Sequence, residues 1–173
     1  MRKRGNLSLF LYFRPMKKLL LVRHAKATHE SGYSDFERPL TDKGIEGAQN
    51  MANHLQQQSI KPQIMVTSPA LRTHTTANIF TDTLGIPPAT IDKAVYDAAQ
   101  STLLRIISSF PQEYDFIGLV GHNPAVAEVL YTLSGALKEV PPGTVALIEF
   151  DVESWEEIHE DSGKLTYYDN PKI

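Results

Sequence analysis

Two arginines and two histidines of this chain are of the types that bind and transfer anionic groups: Arg23, His24, Arg72 and His122. A guanidinium is a planar fork of donors that matches phosphate oxygens. Two arginines and a protonated histidine could neutralise a phosphoryl dianion and stabilise the charge on its oxygens during transfer. A second, neutral histidine could attack phosphorus, because an imidazole with an ordinary pKa of about 6.5 is largely unprotonated at neutral pH. Such a reaction needs no metal if the arginines supply the positive charge.

These four residues follow short apolar runs, and a short continuous apolar run is typical of a buried strand. In open α/β sheets, ligands bind at the carboxyl edge, where the strands end. The sequence therefore predicts that three strands deliver the four side chains to one edge of a sheet. The apolar runs and the residues that come after them are 19–22 with Arg23 and His24, 64–67 with Arg72, and 116–120 with His122.

Helical patterns alternate with these runs after Met16. Thr41 is a suitable N-cap for the first helix, and Asp42 is favourable at the positive end of its dipole. Ser68 as N-cap and Pro69 at the first helical position predict the start of the second helix. The other predicted elements are a helix over about 101–110, a helix that begins with Asn123 as N-cap and Pro124 at its first position, a strand over 145–150 and a last edge strand over 164–168. The alternation predicts an α/β fold, a three-layer sandwich whose mostly parallel central sheet is flanked by helices.

The bulk properties are those of a globular protein with one domain. The chain has 173 residues, 42% of them hydrophobic, and a net charge of -3. This charge gives no support for a nucleic-acid partner, because polyanion-binding proteins usually carry a clustered basic excess. The chain has no cysteine, which excludes a disulfide framework, a thiolate nucleophile and a cysteine-based zinc site. The absence of cysteine also fits a reducing compartment, so we predict a cytoplasmic protein. Because the arginines can supply the positive charge, we predict no metal and no other cofactor.

Residues 1–15 differ from the rest of the chain. A basic start and the mostly apolar stretch 7–13 resemble a signal peptide. However, the small residues of a cleavage site are missing, and the stretch is too short to span a bilayer. We interpret residues 1–15 as an upstream extension or a disordered N-terminus. The first reading makes Met16 the natural start, and Met1 is the alternative. Residues 16–173 are predicted to form a single domain that does not associate with membranes.

Four segments resemble the histidine phosphatase superfamily and occur in that superfamily's order. The small size of the chain and the Arg-His-Ala triplet at 23–25 are similar to its SixA-type phosphohistidine phosphatase branch. The resemblance covers roughly residues 17–150 and is specific, because the segments lie in the context that the motifs require. The segments are Leu21-Val22-Arg23-His24-Ala25, Arg38-Pro39-Leu40-Thr41 with Gly44, Ser68-Pro69-Ala70-Leu71-Arg72 with Thr76-Ala77, and Gly121-His122-Asn123-Pro124.

The resemblance implies roles for individual residues. His24 would be the nucleophile, and Arg23, Arg72 and His122 would form the phosphate pocket. Arg38 belongs to the matching Arg-Pro-Leu segment and is expected to approach the pocket without a catalytic role. The phosphorylated histidine would be an intermediate, which splits one difficult displacement into two steps.

The chain also departs from many members of that superfamily. Many have glycine after the histidine, where this chain has Ala25, so the turn must accommodate a methyl group. Larger members carry a cap over the site and an acid that protonates the leaving group, whereas the segment 81–101 is too short for a substantial cap. Asp97 is the nearest candidate proton donor by chain order, but a plain loop or helix-capping aspartate fits equally well. Asn123 is expected to help position His122 by capping the helix that follows.

The implied substrate is phosphohistidine or a related phosphoryl group on a protein, because an open site suits a protein-borne phosphate. The alternatives are a small-molecule phosphomonoesterase of the same superfamily and a non-catalytic phosphate-binding module. A metal pair formed by His24 and His29 is not favoured, because no helical pattern or carboxylate cluster supports it. The sequence makes no prediction of the oligomeric state. The remaining histidines are interpreted as surface or partly buried residues: His29, His54, His74 and His159.

Overall fold

The computed structural model describes residues 16–172, so the interpretation of residues 1–15 lies outside the described part of the chain. Its centre is a six-stranded sheet, whose strands in chain order are β1 (Lys17–Arg23), β2 (Ile64–Thr67), β3 (Thr90–Ile91), β4 (Phe116–Gly121), β5 (Val145–Phe150) and β6 (Gly163–Asp169). Their spatial order is β3-β2-β4-β1-β5-β6. The first four strands in this order are parallel, whereas β5 and β6 pair in antiparallel fashion. The predicted mostly parallel sheet is confirmed, and so is the edge position of the last strand.

The helices described within residues 16–172 are α1 (Asp42–Gln57), α2 (Leu71–Leu84), α3 (Gln100–Ser108) and α4 (Ala125–Ser134). The side chains of β1 alternate between the two faces of the sheet, as the pleat requires. Leu20 and Val22 pack in a core with α1 and α2. Leu19 and Leu21 pack in a second core with α3 and α4. The predicted three-layer sandwich is therefore confirmed. None of these helices combines the length and the apolar character needed to cross a membrane.

The predicted start is correct for α1 and wrong for α2. The Thr41 side chain accepts a hydrogen bond from the backbone N–H three residues on, at 3.0 Å, as expected of an N-cap. The prediction of Ser68 as the N-cap of α2 is wrong, because α2 begins at Leu71 after an extended residue. The Ser68 hydroxyl lies instead 2.9 Å from the imidazole of His122, 54 residues away in the chain. The same hydroxyl accepts the N–H of Ala70 at 3.3 Å, so it makes a local contact before the helix as well as the tertiary one.

Three parallel strands end at the same edge of the sheet. Arg23 at the end of β1 lies opposite Gly121 at the end of β4, and Thr67 at the end of β2 lies opposite Val120. The segments that follow these strands therefore meet, as predicted from the apolar runs. Sequence patterns missed β3, since a strand of two residues is too short to show alternation.

The opposite end of β1 holds a buried lysine. The Lys17 side chain is 2% exposed, and its ammonium donates hydrogen bonds to the carbonyl oxygens of Gln112 at 3.0 Å and Tyr114 at 3.1 Å. Its third hydrogen bond goes to Oδ1 of Asp115 at 2.7 Å, and the ammonium lies 5.6 Å from the ring centre of Trp155. An ammonium has three donors, so each donor of Lys17 has an acceptor.

Candidate active site

The carboxyl edge of the sheet opens into a cleft of about 640 Å³. Each of the four residues singled out for phosphoryl chemistry, Arg23, His24, Arg72 and His122, lines this cleft. The structure therefore brings together side chains that are up to about a hundred residues apart in the sequence. Further lining residues include Lys26, His29, Asp35, Arg38, Tyr96, Asp97 and Asn123.

His24 is fixed by its backbone and by one ring nitrogen. Its N–H donates to the carbonyl of Gly121 at 3.1 Å, and its carbonyl accepts from the N–H of Gly143 at 2.9 Å. The ring Nδ1 lies 2.7 Å from the carbonyl oxygen of Ala25. Because a carbonyl only accepts, Nδ1 must carry the proton in the neutral ring, which leaves the lone pair on Nε2.

The charge state of His24 follows from its surroundings. The residue is 8% exposed, and this burial is the main reason that its pKa falls to about 3. Positive charges on Arg72 and Arg23 lower the pKa further, against the opposing effect of the hydrogen bond to Ala25. His24 is therefore a neutral imidazole at physiological pH, with an unprotonated Nε2.

The methyl group that replaces glycine after the histidine is accommodated in a small apolar cluster. Ala25 is 1% exposed and packs with Ala27, Leu40 and Ala48. The N–H of Ala25 donates to the hydroxyl of Thr76 in α2 at 3.0 Å. The turn behind His24 is thus anchored on its apolar and its polar side.

His122 faces the same cleft from the end of β4. Its ring centre lies 5.4 Å from that of His24, and its Nε2 lies 2.9 Å from the hydroxyl of Ser68. Burial, followed by the positive charge of Arg72, lowers the pKa of His122 to about 4. Its Nδ1 is buried without a hydrogen-bond partner among the described residues.

The two arginines each use some of their donors to fix their position. Arg23 donates from Nη1 to the carbonyl of Val140 at 2.9 Å. Arg72 is 5% exposed and donates from Nη1 to the carbonyl of Asp35 at 2.7 Å and from Nη2 to its Oδ2 at 3.2 Å. The Nε atoms of both arginines are buried and lack a partner within residues 16–172. Buried polar groups are normally paired, so these two nitrogens are exceptions to the usual pattern.

Sequence reasoning missed Asp35, whose carboxylate contacts three other residues that line the cleft. Its carboxylate accepts from Arg72, from the hydroxyl of Tyr96 at 2.8 Å, and from Nε and Nη2 of Arg38 at 3.2 and 3.1 Å. The Tyr96 hydroxyl is the largest cause that lowers the pKa of Asp35 to about 2, and Arg72 and Arg38 contribute. The local signal was the spacing of Asp35 and Arg38, three residues apart.

The remaining candidates differ in how closely they join the site. Arg38 approaches the cleft, as expected, and also donates to the carbonyl of Thr28 at 3.2 Å. Asp97 lines the cleft as an exposed residue with a left-handed backbone (φ 52°), and its carboxylate has no hydrogen bond to the residues described. Its role as proton donor stays a prediction.

The Asn123 side chain connects the segment at Val140 with the first turn of α4. It donates from Nδ2 to the carbonyl of Val140 at 2.9 Å and accepts at Oδ1 from the N–H of Ala127 at 3.2 Å. The prediction of Asn123 as N-cap is wrong by one residue, because Pro124 takes the cap position. The Asn123 side chain nevertheless satisfies a first-turn donor, as the capping hypothesis requires.

Two further features bear on the chemistry. The part of the chain that the structure describes contains no group of three or more histidine or acidic side chains placed to hold a metal ion. His54 pairs with Asp169 at 3.0 Å, well away from the cleft lining. The cleft is lined by two arginines and two histidines at the carboxyl edge of the sheet, which is a set of donors suited to an oxyanion.

Known proteins and families that are similar to this chain include phosphatases. The histidine phosphatase superfamily (branch 1) matches residues 19–97. An uncharacterized Mycobacterium tuberculosis protein, Rv1276c, is 30% identical over 118 residues, which are 66% of this chain and 72% of that protein. Among solved structures, a SixA from Nakamurella multipartitia superposes with a TM-score of 0.77 at 23% identity, covering 91% of this chain and 98% of its own. The protein histidine phosphatase SixA complexed with tungstate superposes with a TM-score of 0.76 at 21% identity, covering 89% and 97%.

The chain belongs to the histidine phosphatase superfamily. This confirms the family predicted from the four ordered segments. The fold is also that of the SixA structures, which agrees with the predicted SixA-type branch.

Proposed function

We propose that this protein is a phosphatase that removes the phosphoryl group from a protein-borne phosphohistidine through a phosphorylated His24. The observation that carries the proposal is the unprotonated Nε2 of His24 in a cleft that it shares with Arg23, Arg72 and His122. Each of these three residues also has a buried nitrogen without a hydrogen-bond partner among residues 16–172. A neutral nucleophile beside fixed cationic donors is the arrangement that phosphoryl transfer requires.

In the first step, Nε2 of His24 attacks phosphorus, and a P–N bond forms while the bond between phosphorus and the substrate nitrogen breaks. Arg23, Arg72 and His122 surround the phosphoryl oxygens and stabilise their charge. The Ala25 carbonyl keeps the proton on Nδ1 and thereby holds the ring in the reactive tautomer. A bound phosphoryl dianion also raises the pKa of His122, since an opposite charge favours the protonated form.

In the second step, a water molecule attacks the phosphorus of phosphorylated His24. The P–N bond breaks, Nε2 regains its lone pair, and inorganic phosphate leaves with the oxygen of the water. The proton lost by the water passes to the phosphate or to solvent. The hydrogen bond from Nδ1 to Ala25 persists through both steps, so the ring keeps its position.

Two features support phosphohistidine over a phosphate ester. The connection between α2 and α3 spans only residues 85–99, so the cleft has a short cover that leaves room for a macromolecule. Asp35 has a pKa of about 2 and is ionised at neutral pH, so it has no proton for an alkoxide. The ring of phosphohistidine can already carry a proton on its other nitrogen and leave as a neutral imidazole. Asp97 is the candidate donor if esters are also cleaved.

Parallel assays test the proposal on a phosphohistidine protein, a phosphohistidine peptide and simple phosphate esters. We expect turnover to be fastest on the protein, to be unaffected by a chelator, and to give an acid-labile phosphorylated intermediate that is absent in His24→Ala. His159→Ala, at an exposed histidine outside the cleft, is the matched control and should retain full activity.

Other outcomes would redirect the assignment. Preference for small esters would favour a phosphomonoesterase of the same superfamily. Phosphate binding without turnover in the unmodified protein would favour a binding module. Unchanged turnover in His24→Ala would exclude the mechanism.

A further inference from the structure

We infer that Asp35 is a positioning residue for Arg72, an inference that rests on the proposed function of the cleft. Asp35 lies at the start of a short 3-10 turn, Asp35–Glu37, on the rim of the cleft. Its backbone carbonyl and its carboxylate accept hydrogen bonds from the two terminal nitrogens of Arg72, at 2.7 and 3.2 Å. Asp35 thus holds this guanidinium by its end.

These two hydrogen bonds fix the orientation of the Arg72 guanidinium. A guanidinium has five N–H donors in a fixed plane, so fixing both terminal nitrogens also fixes the direction of the Nε–H. The Nε of Arg72 is buried and has no partner among the described residues. A phosphoryl group in the cleft then meets a guanidinium whose orientation is already set, so little ordering remains when the ligand binds.

Asp35 is itself held from two other segments. Arg38 donates to Oδ1 from Nε and Nη2, and the Tyr96 hydroxyl donates to Oδ2 at 2.8 Å. The Tyr96 ring also packs edge-on against the ring of His122, with centres 5.8 Å apart. The carboxylate therefore links Arg72 to the segment that contacts His122. Its low pKa, about 2, is a consequence of these donors and keeps it ionised wherever the enzyme is folded and active.

A positioning role and a purely electrostatic role for Asp35 predict opposite effects of Asp35→Asn on oxyanion binding. A carboxylate on the rim of an anion pocket repels a phosphoryl dianion, so its charge alone opposes binding. If charge were all that Asp35 contributed, Asp35→Asn would bind oxyanions more tightly. If Asp35 positions Arg72, the same substitution weakens binding. The asparagine amide has one acceptor oxygen for donors that now share two carboxylate oxygens, and its hydrogen bond to the guanidinium loses the assistance of the negative charge. The two roles differ in the sign of the effect.

The experiment measures tungstate and inorganic phosphate binding by calorimetry, together with kcat/KM, in the full chain. We expect Asp35→Asn to weaken tungstate binding and to lower kcat/KM by about tenfold each. Tyr96→Phe keeps the ring against His122 but removes one donor to the carboxylate, and should lose about threefold. Asp35→Glu restores the charge and should recover part of the loss.

The matched control is Glu37→Gln. Glu37 belongs to the same turn and is exposed, accepts from the hydroxyl of Ser34 at 3.1 Å, and does not line the cleft. Glu37→Gln removes one negative charge, as Asp35→Asn does, and should leave binding and turnover unchanged. Thermal unfolding is recorded for every variant, and Tyr96→Phe retains the test if Asp35→Asn does not fold.

The outcomes separate this inference from the proposed function. If the wild-type protein binds tungstate and turns over substrate, but Asp35→Asn binds equally well or more tightly, the positioning role is wrong and the proposed function stands. If the wild-type protein neither binds tungstate nor turns over substrate, the proposed function is wrong and the inference fails with it.

Discussion

The two ends of β1 hold buried cations in opposite ways. At its start, Lys17 has three acceptors for its three donors, namely two backbone carbonyls and Asp115. At its end, Arg23 spends one donor on the Val140 carbonyl, and its buried Nε has no partner in the described part of the chain. Arg72, which meets the same cleft, also has a buried Nε of this kind.

This difference separates a structural charge from a functional one. A buried donor without a partner costs free energy, commonly about 1–3 kcal/mol. Among residues 16–172, every donor of Lys17 has an acceptor, whereas the Nε atoms of Arg23 and Arg72 have none. Under the proposed function, a bound ligand would offset this cost at the cleft. The two ends of β1 are therefore expected to respond differently when a group is substituted or protonated.

The largest effect is expected at the cleft. Arg72→Ala should lower kcat/KM by about 10²–10³-fold, because it removes a charge-stabilising donor from the transition state. Arg72→Lys keeps the charge but loses the planar fork, and should remain well below wild type. Steady-state kinetics on a phosphohistidine peptide measure both. Arg105→Ala, at an exposed position of α3, is the control and should retain normal turnover. Normal turnover in Arg72→Ala would contradict a functional role for the cleft arginines.

The opposite end of β1 should respond in stability and not in activity. Lys17→Ala is expected to lower the free energy of unfolding by about 2–3 kcal/mol, mainly because two carbonyls lose their donor. The ion pair itself contributes at most about 1 kcal/mol, since the Asp115 side chain is 62% exposed. Urea unfolding measures the loss.

Lys17→Met sharpens this prediction. It keeps the packing against Trp155 and should cost less than Lys17→Ala. The kcat/KM of the folded protein should be unchanged in both variants, and a selective loss of activity at unchanged stability would remove the distinction between the two ends.

Acid should act on the cleft through its histidines. The folded-state pKa values of about 3 for His24 and about 4 for His122 lie below the ordinary value of 6.5. The unfolded chain therefore binds more protons below pH 6.5, and stability falls as the pH is lowered from there towards the folded-state values. We expect His24 to contribute about 1–2 kcal/mol of this loss between about pH 6.5 and pH 5.

Unfolding at a series of pH values, in phosphate-free buffer, checks this dependence. His24→Asn should show a shallower loss than wild type. In NMR titrations of the folded protein, the His24 ring should not titrate between about pH 5 and pH 8. A midpoint near the ordinary value would contradict the burial argument.

The smallest effect is expected at Asn123. Asn123→Ala removes the acceptor of the Ala127 N–H and one of two donors to the Val140 carbonyl. Loss of such a capping acceptor costs about 1 kcal/mol. Thermal unfolding should detect it, with a minor drop in turnover because the loop that holds Arg23 loosens. A loss of activity as large as that of Arg72→Ala would place Asn123 in the pocket itself.

The sequence predicted those parts of the site that depend on short-range patterns. His24 and Arg23 come at the end of an apolar run that is typical of a buried strand, and the ends of parallel strands meet at one edge. The same reasoning placed His122 at the end of β4. It failed for Ser68, whose cap pattern is genuine but whose hydroxyl meets His122 across the fold.

Asp35 shows most clearly where such reasoning stops. Its partners Arg72 and Tyr96 are 37 and 61 residues away in the chain. Nothing in the composition of the segment around Asp35 indicates that its carboxylate lies against an arginine of α2. The contact depends on how the turn 35–37 settles on the helix, which is decided by packing.

The sequence by itself determined the family, the layered α/β fold and which residue types stand at the strand ends, because strand formation and parallel pairing follow from local apolar runs. The tertiary structure decided which donors of those residues are used up and which remain free. It makes His24 neutral by burial, directs its lone pair to Nε2 through the Ala25 carbonyl, and ties Arg72 to Asp35. Burial and hydrogen-bond partners arise between distant segments, so only the assembled fold distinguishes the satisfied Lys17 from the unsatisfied Arg23 and Arg72.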